Sequence, residues 1–348
     1  MWMAWIPATG AFFPETWYPS LAGAWLVLLV TAVASGRLAP STRSARVALG
    51  AFGALVAFNY LSMLWAGSPA DALSASNQLL LFLVVAWTFS ILPWTPTSLA
   101  ALLGIWSVGV AIFCGVDLAR ATGASSLTQF FADYRYATPL AYPNGTAALG
   151  VMGMWPALIL SSRRELSPWV RGPLLGLAMF LIEFSFLPQS RGAVLGLAVT
   201  TVLVMVCLTD RLLVLTRLLV LGIGLAVSLP SILDVTHAVN QNRLVGPVLS
   251  HAADLILLTS LVAVSVGLCL PLMEASLARR RAAGRPPAAQ PPAGGLRSPR
   301  PRRSRLLTWG VVVILGVGTA AALAAPAINR LASRVAHQGQ TDAQTGSS

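Results

Sequence analysis

The chain has 348 residues, of which 56% are hydrophobic and only 10% are charged. Its mean hydropathy of +0.74 lies far outside the range of soluble globular domains, so we predict an all-α fold, a polytopic transmembrane helical bundle. A transmembrane barrel is excluded because barrel strands alternate apolar and polar residues, whereas residues 310–325 are apolar on every face. The formal net charge is +12, and arginine supplies all of the basic residues, since the chain contains no lysine.

About ten apolar stretches are long enough to cross a hydrocarbon core of about 30 Å. The predicted spans are 19–36, 47–66, 76–93, 98–116, 144–161, 172–188, 192–208, 212–231, 252–273 and 306–326. Nine of them form a transmembrane core within residues 1–273. Residues 274–305 are rich in arginine and proline and predict a disordered cytoplasmic loop before the tenth span. Residues 327–348 then form an extracytoplasmic tail or the start of a larger loop.

The distribution of arginine predicts the orientation of these spans. With the N-terminus outside, 17 of the 23 arginines lie on the cytoplasmic side, as the positive-inside rule requires. We therefore expect a multi-pass protein of the cell membrane with both termini extracytoplasmic. The arginines between residues 279 and 305 are expected to contact anionic membrane lipids, and no nucleic-acid partner is expected.

Three segments on the predicted outer face, 117–143, 187–196 and 234–251, carry the candidate site residues. The middle one is the most specific, because two apolar runs meet at Gln189, Ser190 and Arg191 with hardly any loop between them. A guanidinium group held there can bind phosphate oxygens through two N–H donors, and the start of the next helix adds free backbone N–H groups. The alternative is an arginine that only marks the membrane interface.

Short motifs in these segments resemble the O-antigen ligase and polymerase family of bacterial membrane glycosyltransferases. They are QSRGA at 189–193, which opens an apolar helix, and YPNG at 142–145, which opens an earlier one. LSMLWAGSP at 61–69 is similar to the end of the second span in actinobacterial members. The resemblance implies a GT-C-like fold and transfer of glycan from a polyprenyl-diphosphate donor to an acceptor at the outer leaflet, in cell-envelope polysaccharide synthesis. By the same resemblance, Arg191 is the catalytic residue that binds the diphosphate.

The family also carries a large outer loop late in the chain, with further arginine and histidine residues. Residues 327–348 do not match that pattern. The chain is therefore expected to be either a portion of a longer protein, lacking the C-terminal part, or a divergent member.

A transferase of this kind must neutralise a departing diphosphate, either with a metal or with arginines. The sequence contains no Asp-x-Asp pair, so we expect a metal-independent enzyme that needs no cofactor. Arg135, Asn144 and Ser190 are predicted to contact the substrate, although an exposed loop arginine and a helix-capping asparagine are the simpler interpretations of the first two. The general base stays open among three histidines: His237, His251 and His337.

Glu183 is the one carboxylate well inside a span, and its position requires it to face protein or water. Spacing along the helix argues against a direct pair with Arg191, so a proton-relay role and a packing role both stay open. Two Gly-x-x-x-Gly pairs, at 172–176 and 192–196, predict close helix packing. The alternatives to a glycosyltransferase are a transporter or flippase for an anionic lipid or solute, and a catalytically silent membrane scaffold.

Overall fold

The computed structural model describes the backbone of residues 14–208, 211–241 and 243–283, and the side chains from residue 17 to residue 270 within these ranges. The chain divides into two compact units, Met1–Leu102 and Leu103–Ser348. The predicted tenth span at 306–326, the tail at 327–348 and most of the predicted loop at 274–305 lie outside the described residues.

Nine α-helices occupy the described residues and follow the nine predicted spans of this region in order. They are α1 (Pro14–Ser35), α2 (Arg43–Ser62), α3 (Pro69–Ile91), α4 (Pro96–Thr122), α5 (Pro143–Ser161), α6 (Pro168–Phe186), α7 (Arg191–Cys207), α8 (Arg211–Asn240) and α9 (Val245–Ala283). Between α4 and α5 lies a short antiparallel hairpin of β1 (Phe131–Ala132) and β2 (Arg135–Tyr136). All of these helices except α5 and α7 are long and apolar enough to cross a membrane, seven in total. The chain is therefore a polytopic helical membrane protein.

The helix ends differ from the prediction most strongly around α8 and α9. The span predicted to end at residue 231 continues to Asn240, and the next helix begins at Val245 and runs to Ala283. Most of the predicted outer loop at 234–251 is therefore helical, and the chain is still helical where a loop was predicted from residue 274. The reason is that hydropathy detects only the part of a helix inside hydrocarbon, whereas backbone hydrogen bonding continues into the polar interface.

The first unit contains α1, α2 and α3. Its apolar core lies between α1 and α3 and consists of buried side chains from both helices: Trp17, Ala24, Leu28, Leu81, Val84 and Ile91. Two hydrogen bonds connect all three helices, because Tyr60 Oη donates to Asn77 Oδ1 at 2.6 Å and Asn77 Nδ2 donates to Tyr18 Oη at 3.0 Å. Such polar contacts hold helices together where the surrounding lipid offers no hydrophobic gain.

In the second unit α6 is the central helix and packs against α5, α8 and α9. The first predicted glycine pair lies at its contact with α9. A Cβ atom on Gly172 would lie 2.6 Å from Leu268 Cγ, and one on Gly176 would lie 2.8 Å from the backbone oxygen of Ser260. Both distances are too short for any residue larger than glycine, so the predicted close packing is confirmed for this pair.

The helix α7 lies at the edge of the second unit. None of its residues is buried, and a Cβ atom on Gly196 would meet nothing within 4 Å. The predicted packing role of the second glycine pair is therefore wrong. A hydrogen bond from Trp155 Nε1 on α5 to Thr200 Oγ1, 3.0 Å long, joins α7 to the centre of the unit.

Candidate functional site

The β1–β2 hairpin carries three polar side chains at its turn. Ala132 pairs with Arg135, so Asp133 and Tyr134 form a two-residue turn. Both have positive φ angles, 47° and 61°, as a type I′ turn requires. This backbone region favours glycine and asparagine, and a bulky residue such as Tyr134 adopts it only when its surroundings enforce it.

The hairpin is anchored through Tyr136, whose side chain is 0% exposed. Its hydroxyl donates to Asp117 Oδ2 on α4 at 2.6 Å, and Thr138 Oγ1 donates to the same oxygen at 2.8 Å. The Tyr136 ring meets Phe184 on α6 edge-on, with centroids 5.8 Å apart. Burial raises the pKa of Tyr136, and the nearby Asp117 carboxylate raises it further. The phenol therefore keeps its proton and holds the hairpin to α4 and α6.

The start of α5 is fixed to the segment that follows the hairpin. Thr146 Oγ1 donates to the backbone oxygen of Ala137 at 2.5 Å. The N-cap residue of α5 is Tyr142, and its side chain makes no capping hydrogen bond. Asn144 lies within the first helical turn, where its Nδ2 donates to Tyr142 Oη at 3.0 Å. The interpretation of Asn144 as the helix cap is therefore wrong.

The connection between α6 and α7 is as short as predicted. Gln189 has a positive φ of 50°, and its Nε2 donates to the backbone oxygen of Leu233 on α8 at 3.3 Å. Ser190 is 2% exposed and is the N-cap of α7, because its Oγ accepts a hydrogen bond from the backbone N–H of Ala193 at 3.1 Å. Arg191 follows as the first residue of α7, and its side chain is exposed.

These segments enclose a pocket of about 580 Å³ within the second unit, a volume in the usual range for small-molecule sites. Its lining combines the hairpin turn, the first turns of α5 and α7, and the last turns of α8. The lining residues are Asp133, Tyr134, Arg135, Asn144, Gln189, Arg191, Gly192, Thr236 and Asn240. The structure thus brings together three of the four predicted site residues, although α5 and α6 separate them along the chain.

The fourth predicted site residue, Ser190, does not line this pocket. Its hydroxyl oxygen accepts the capping hydrogen bond of α7, so the residue fixes the helix start from which Arg191 projects. A direct contact between Ser190 and substrate stays a prediction.

Two guanidinium groups in the pocket are available to a ligand. Among the described residues, neither Arg135 nor Arg191 makes a side-chain hydrogen bond or an ion pair. By contrast, Arg243 Nη2 lies 2.7 Å from Asp234 Oδ1 in an exposed ion pair. The pocket lining therefore carries two positive charges and one negative charge, that of Asp133, and its net charge favours an anion.

The chain matches no protein-family model, no curated protein and no solved structure. The interpretation of the pocket therefore rests on the side chains that the fold brings together.

Metal-binding geometry is not found in the part of the chain that the structure describes. No group of three or more histidine, cysteine, aspartate or glutamate side chains there lies close enough to hold a metal ion. In the pocket itself, the carboxylate of Asp133 shares the lining with three amides, two hydroxyl groups and two arginines.

Two of the three histidines predicted as candidate bases, His237 and His251, lie outside this pocket. His237 on α8 directs Nδ1 to the backbone oxygen of Leu233, 2.9 Å away, and does not line the pocket. His251 is exposed on α9 and also lies outside the lining. His337 falls outside the described residues.

A second polar cluster lies at the centre of the second unit, around Glu183. Its carboxyl group is 0% exposed and accepts hydrogen bonds from Ser228 Oγ on α8 at 2.6 Å and from Thr259 Oγ1 on α9 at 2.7 Å. The prediction that Glu183 faces protein is confirmed, and its hydrogen-bond partners come from α8 and α9. A buried carboxyl group with donors on two neighbouring helices ties the three helices together.

Sequence reasoning missed several residues of the pocket. The positive φ angles of Asp133 and Gln189 leave no trace in the sequence, because neither residue is glycine. Thr236 and Asn240 lie in a segment predicted as an outer loop, and the helical turn that directs them to one face was not expected. The proximity of Asp133 to Arg135 in the sequence was the one available signal.

Proposed function

We propose that the protein is a membrane glycosyltransferase that moves glycan from a polyprenyl-diphosphate donor to an acceptor hydroxyl at the outer leaflet. The pocket that holds Arg135, Arg191 and Asn144 together carries this proposal. It agrees with the sequence resemblance to the O-antigen ligase and polymerase family, which implies a GT-C-like fold.

The diphosphate is the part of the donor that the arginines recognise. Each guanidinium can form two parallel charge-assisted hydrogen bonds to phosphate oxygens. Arg191 and Gly192, which carry the first backbone N–H groups of α7, also line the pocket, and a helix N-terminus favours negative charge. As the bond between sugar and diphosphate breaks, charge accumulates on the departing oxygen, and fixed donors stabilise that charge most.

Neutral polar side chains complete the lining of the pocket. The amides of Asn144, Gln189 and Asn240 supply donors and acceptors of the kind that sugar hydroxyl groups need. Tyr134 is 64% exposed and offers an aromatic face beside them, against which the C–H face of a sugar ring can pack. An anion site next to amides and an aromatic ring suits a glycosyl diphosphate better than inorganic phosphate.

The test uses the purified full-length protein in liposomes with a labelled polyprenyl-diphosphate glycan and a soluble acceptor. We expect glycan transfer that persists in excess chelator, because arginines neutralise the leaving group. The matched control is Arg191→Ala, in which transfer should be lost.

The same liposomes distinguish an enzyme from a transporter. The buried Glu183 cluster is the observation that favours transport, since an ionisable group inside a membrane helix often marks an ion pathway. Movement of intact donor between leaflets without glycan release would support the flippase alternative and contradict the proposed transfer. Loss of transfer in chelator would show that a metal is required.

A further inference from the structure

We propose that Asp133 is the general base that deprotonates the acceptor hydroxyl, an inference that rests on the proposed function. Among the described residues, the pocket lining contains one carboxylate and no histidine. The only other titratable side chains in that lining are two arginines and the phenol of Tyr134. A proton acceptor for a sugar hydroxyl is therefore found at one position of the pocket.

The backbone of this position supports a functional role. Four non-glycine residues of the described chain have positive φ angles, at residues 133, 134, 141 and 189. Three of them line the pocket. Conformations of this kind cost roughly 1–3 kcal/mol each and persist where the surrounding structure enforces them, most often at functional sites. The hairpin that carries the turn at Asp133 is held in place because Tyr136 is buried and hydrogen-bonded to Asp117.

The carboxylate of Asp133 is also free to act. It makes no ion pair with Arg135 or Arg191 among the described residues, although all three side chains line the same pocket. The other elements around the pocket present Asn144, Thr236 and Asn240 to it, and these side chains do not titrate. The other charged side chains in the pocket lining are thus those of Arg135 and Arg191.

The reaction balances with the groups in the pocket. The acceptor oxygen forms a bond to the anomeric carbon while its proton passes to the Asp133 carboxylate. The bond between the anomeric carbon and the diphosphate oxygen breaks, and its electron pair leaves with that oxygen. Arg135 and Arg191 stabilise the negative charge on the departing diphosphate. The products are the glycosylated acceptor and polyprenyl diphosphate. The protonated aspartic acid then returns its proton to water.

The first variant for the test is Asp133→Asn, because asparagine tolerates positive φ and keeps the turn. In full-length protein in liposomes, we expect its transfer rate at saturating donor to fall by about 10²- to 10⁴-fold, the usual contribution of a general base. Donor binding, measured by displacement of labelled donor, should stay within about threefold, since the diphosphate contacts are unchanged. Asp234→Asn is the matched control, because Asp234 lies outside the pocket and pairs with Arg243 in an exposed position.

Chemical rescue separates a base from a structural role. Glycine also accepts positive φ, so Asp133→Gly keeps the turn and leaves room for a small carboxylate. Added formate should raise its transfer rate at least about tenfold and should not raise that of Arg191→Ala. If the wild type is active and Asp133→Asn transfers glycan within about threefold of its rate, the role of Asp133 as a base is refuted and the proposed function still stands. Absence of transfer by the wild type would overturn the proposed function and this inference together.

Discussion

Replacing Arg191 by lysine tests the geometry of the anion site, because the charge is kept and the two-pronged donor is lost. Arg191 is exposed at the start of α7 and makes no side-chain hydrogen bond among the described residues. The substitution should therefore change the stability of the protein by no more than about 0.5 kcal/mol. Nearly the whole effect is expected in the interaction with the donor.

The size of that effect follows from the donors that disappear. An ammonium group cannot make two parallel hydrogen bonds to diphosphate oxygens, and loss of one preorganised donor at developing negative charge costs about 2–4 kcal/mol. At about 1.4 kcal/mol per tenfold change in rate, kcat/KM should fall by about 30-fold to about 700-fold. The melting temperature should stay close to that of the wild type.

The assay is glycan transfer in liposomes with a labelled polyprenyl-diphosphate donor. Arg243→Lys is the matched control, because Arg243 pairs with Asp234 at an exposed position outside the pocket, and its kcat/KM should change by less than about twofold. Near wild-type turnover by Arg191→Lys would refute the two-pronged contact. Arg191 would then be an arginine that marks the membrane interface.

Three further predictions concern the hairpin, the buried cluster and the topology. Tyr136→Phe removes the hydrogen bond to the Asp117 carboxylate on α4. We therefore expect a stability loss of about 1–3 kcal/mol and weaker donor binding. An unchanged melting temperature and unchanged donor binding would argue against an anchoring role for Tyr136. Combining Ser228→Ala with Thr259→Val leaves the Glu183 carboxyl group without its side-chain donors. That double variant should be less stable than Glu183→Gln, in which both hydroxyls keep an acceptor, and the reverse order in denaturant titrations would contradict the arrangement. At Gln338, a reporter that works only outside the cytoplasm should be active, and one that works only in the cytoplasm should be inactive. The opposite result would overturn the predicted orientation.

Three of the nine residues that line the pocket, Arg135, Asn144 and Arg191, were named as site residues from the sequence. Arg191 was expected at the end of a span because two apolar runs leave no room for a loop, and the structure places it as the first residue of α7. Arg135 and Asn144 were named from their chemistry and their motif, without any means of placing them beside Arg191. Asp133 was one of several scattered carboxylates, and no sequence pattern distinguished it from the others.

The sequence by itself determined the membrane class and the order of the helices. In hydrocarbon every backbone polar group must be satisfied within its own segment, so a long apolar stretch has essentially one available structure. That constraint acts on each stretch separately and does not depend on the segments around it.

Only the tertiary structure decided which polar residues meet. Arg135 lines the same pocket as Arg191 because Tyr136 fixes the hairpin against α4 and α6. Asn240 lines it as well because α8 continues as a helix to that residue. This placement depends on the hydrogen bond between Tyr136 and α4 and on the packing of α6 against its neighbours. Both are long-range interactions between residues far apart in the chain, so a local sequence pattern cannot specify them.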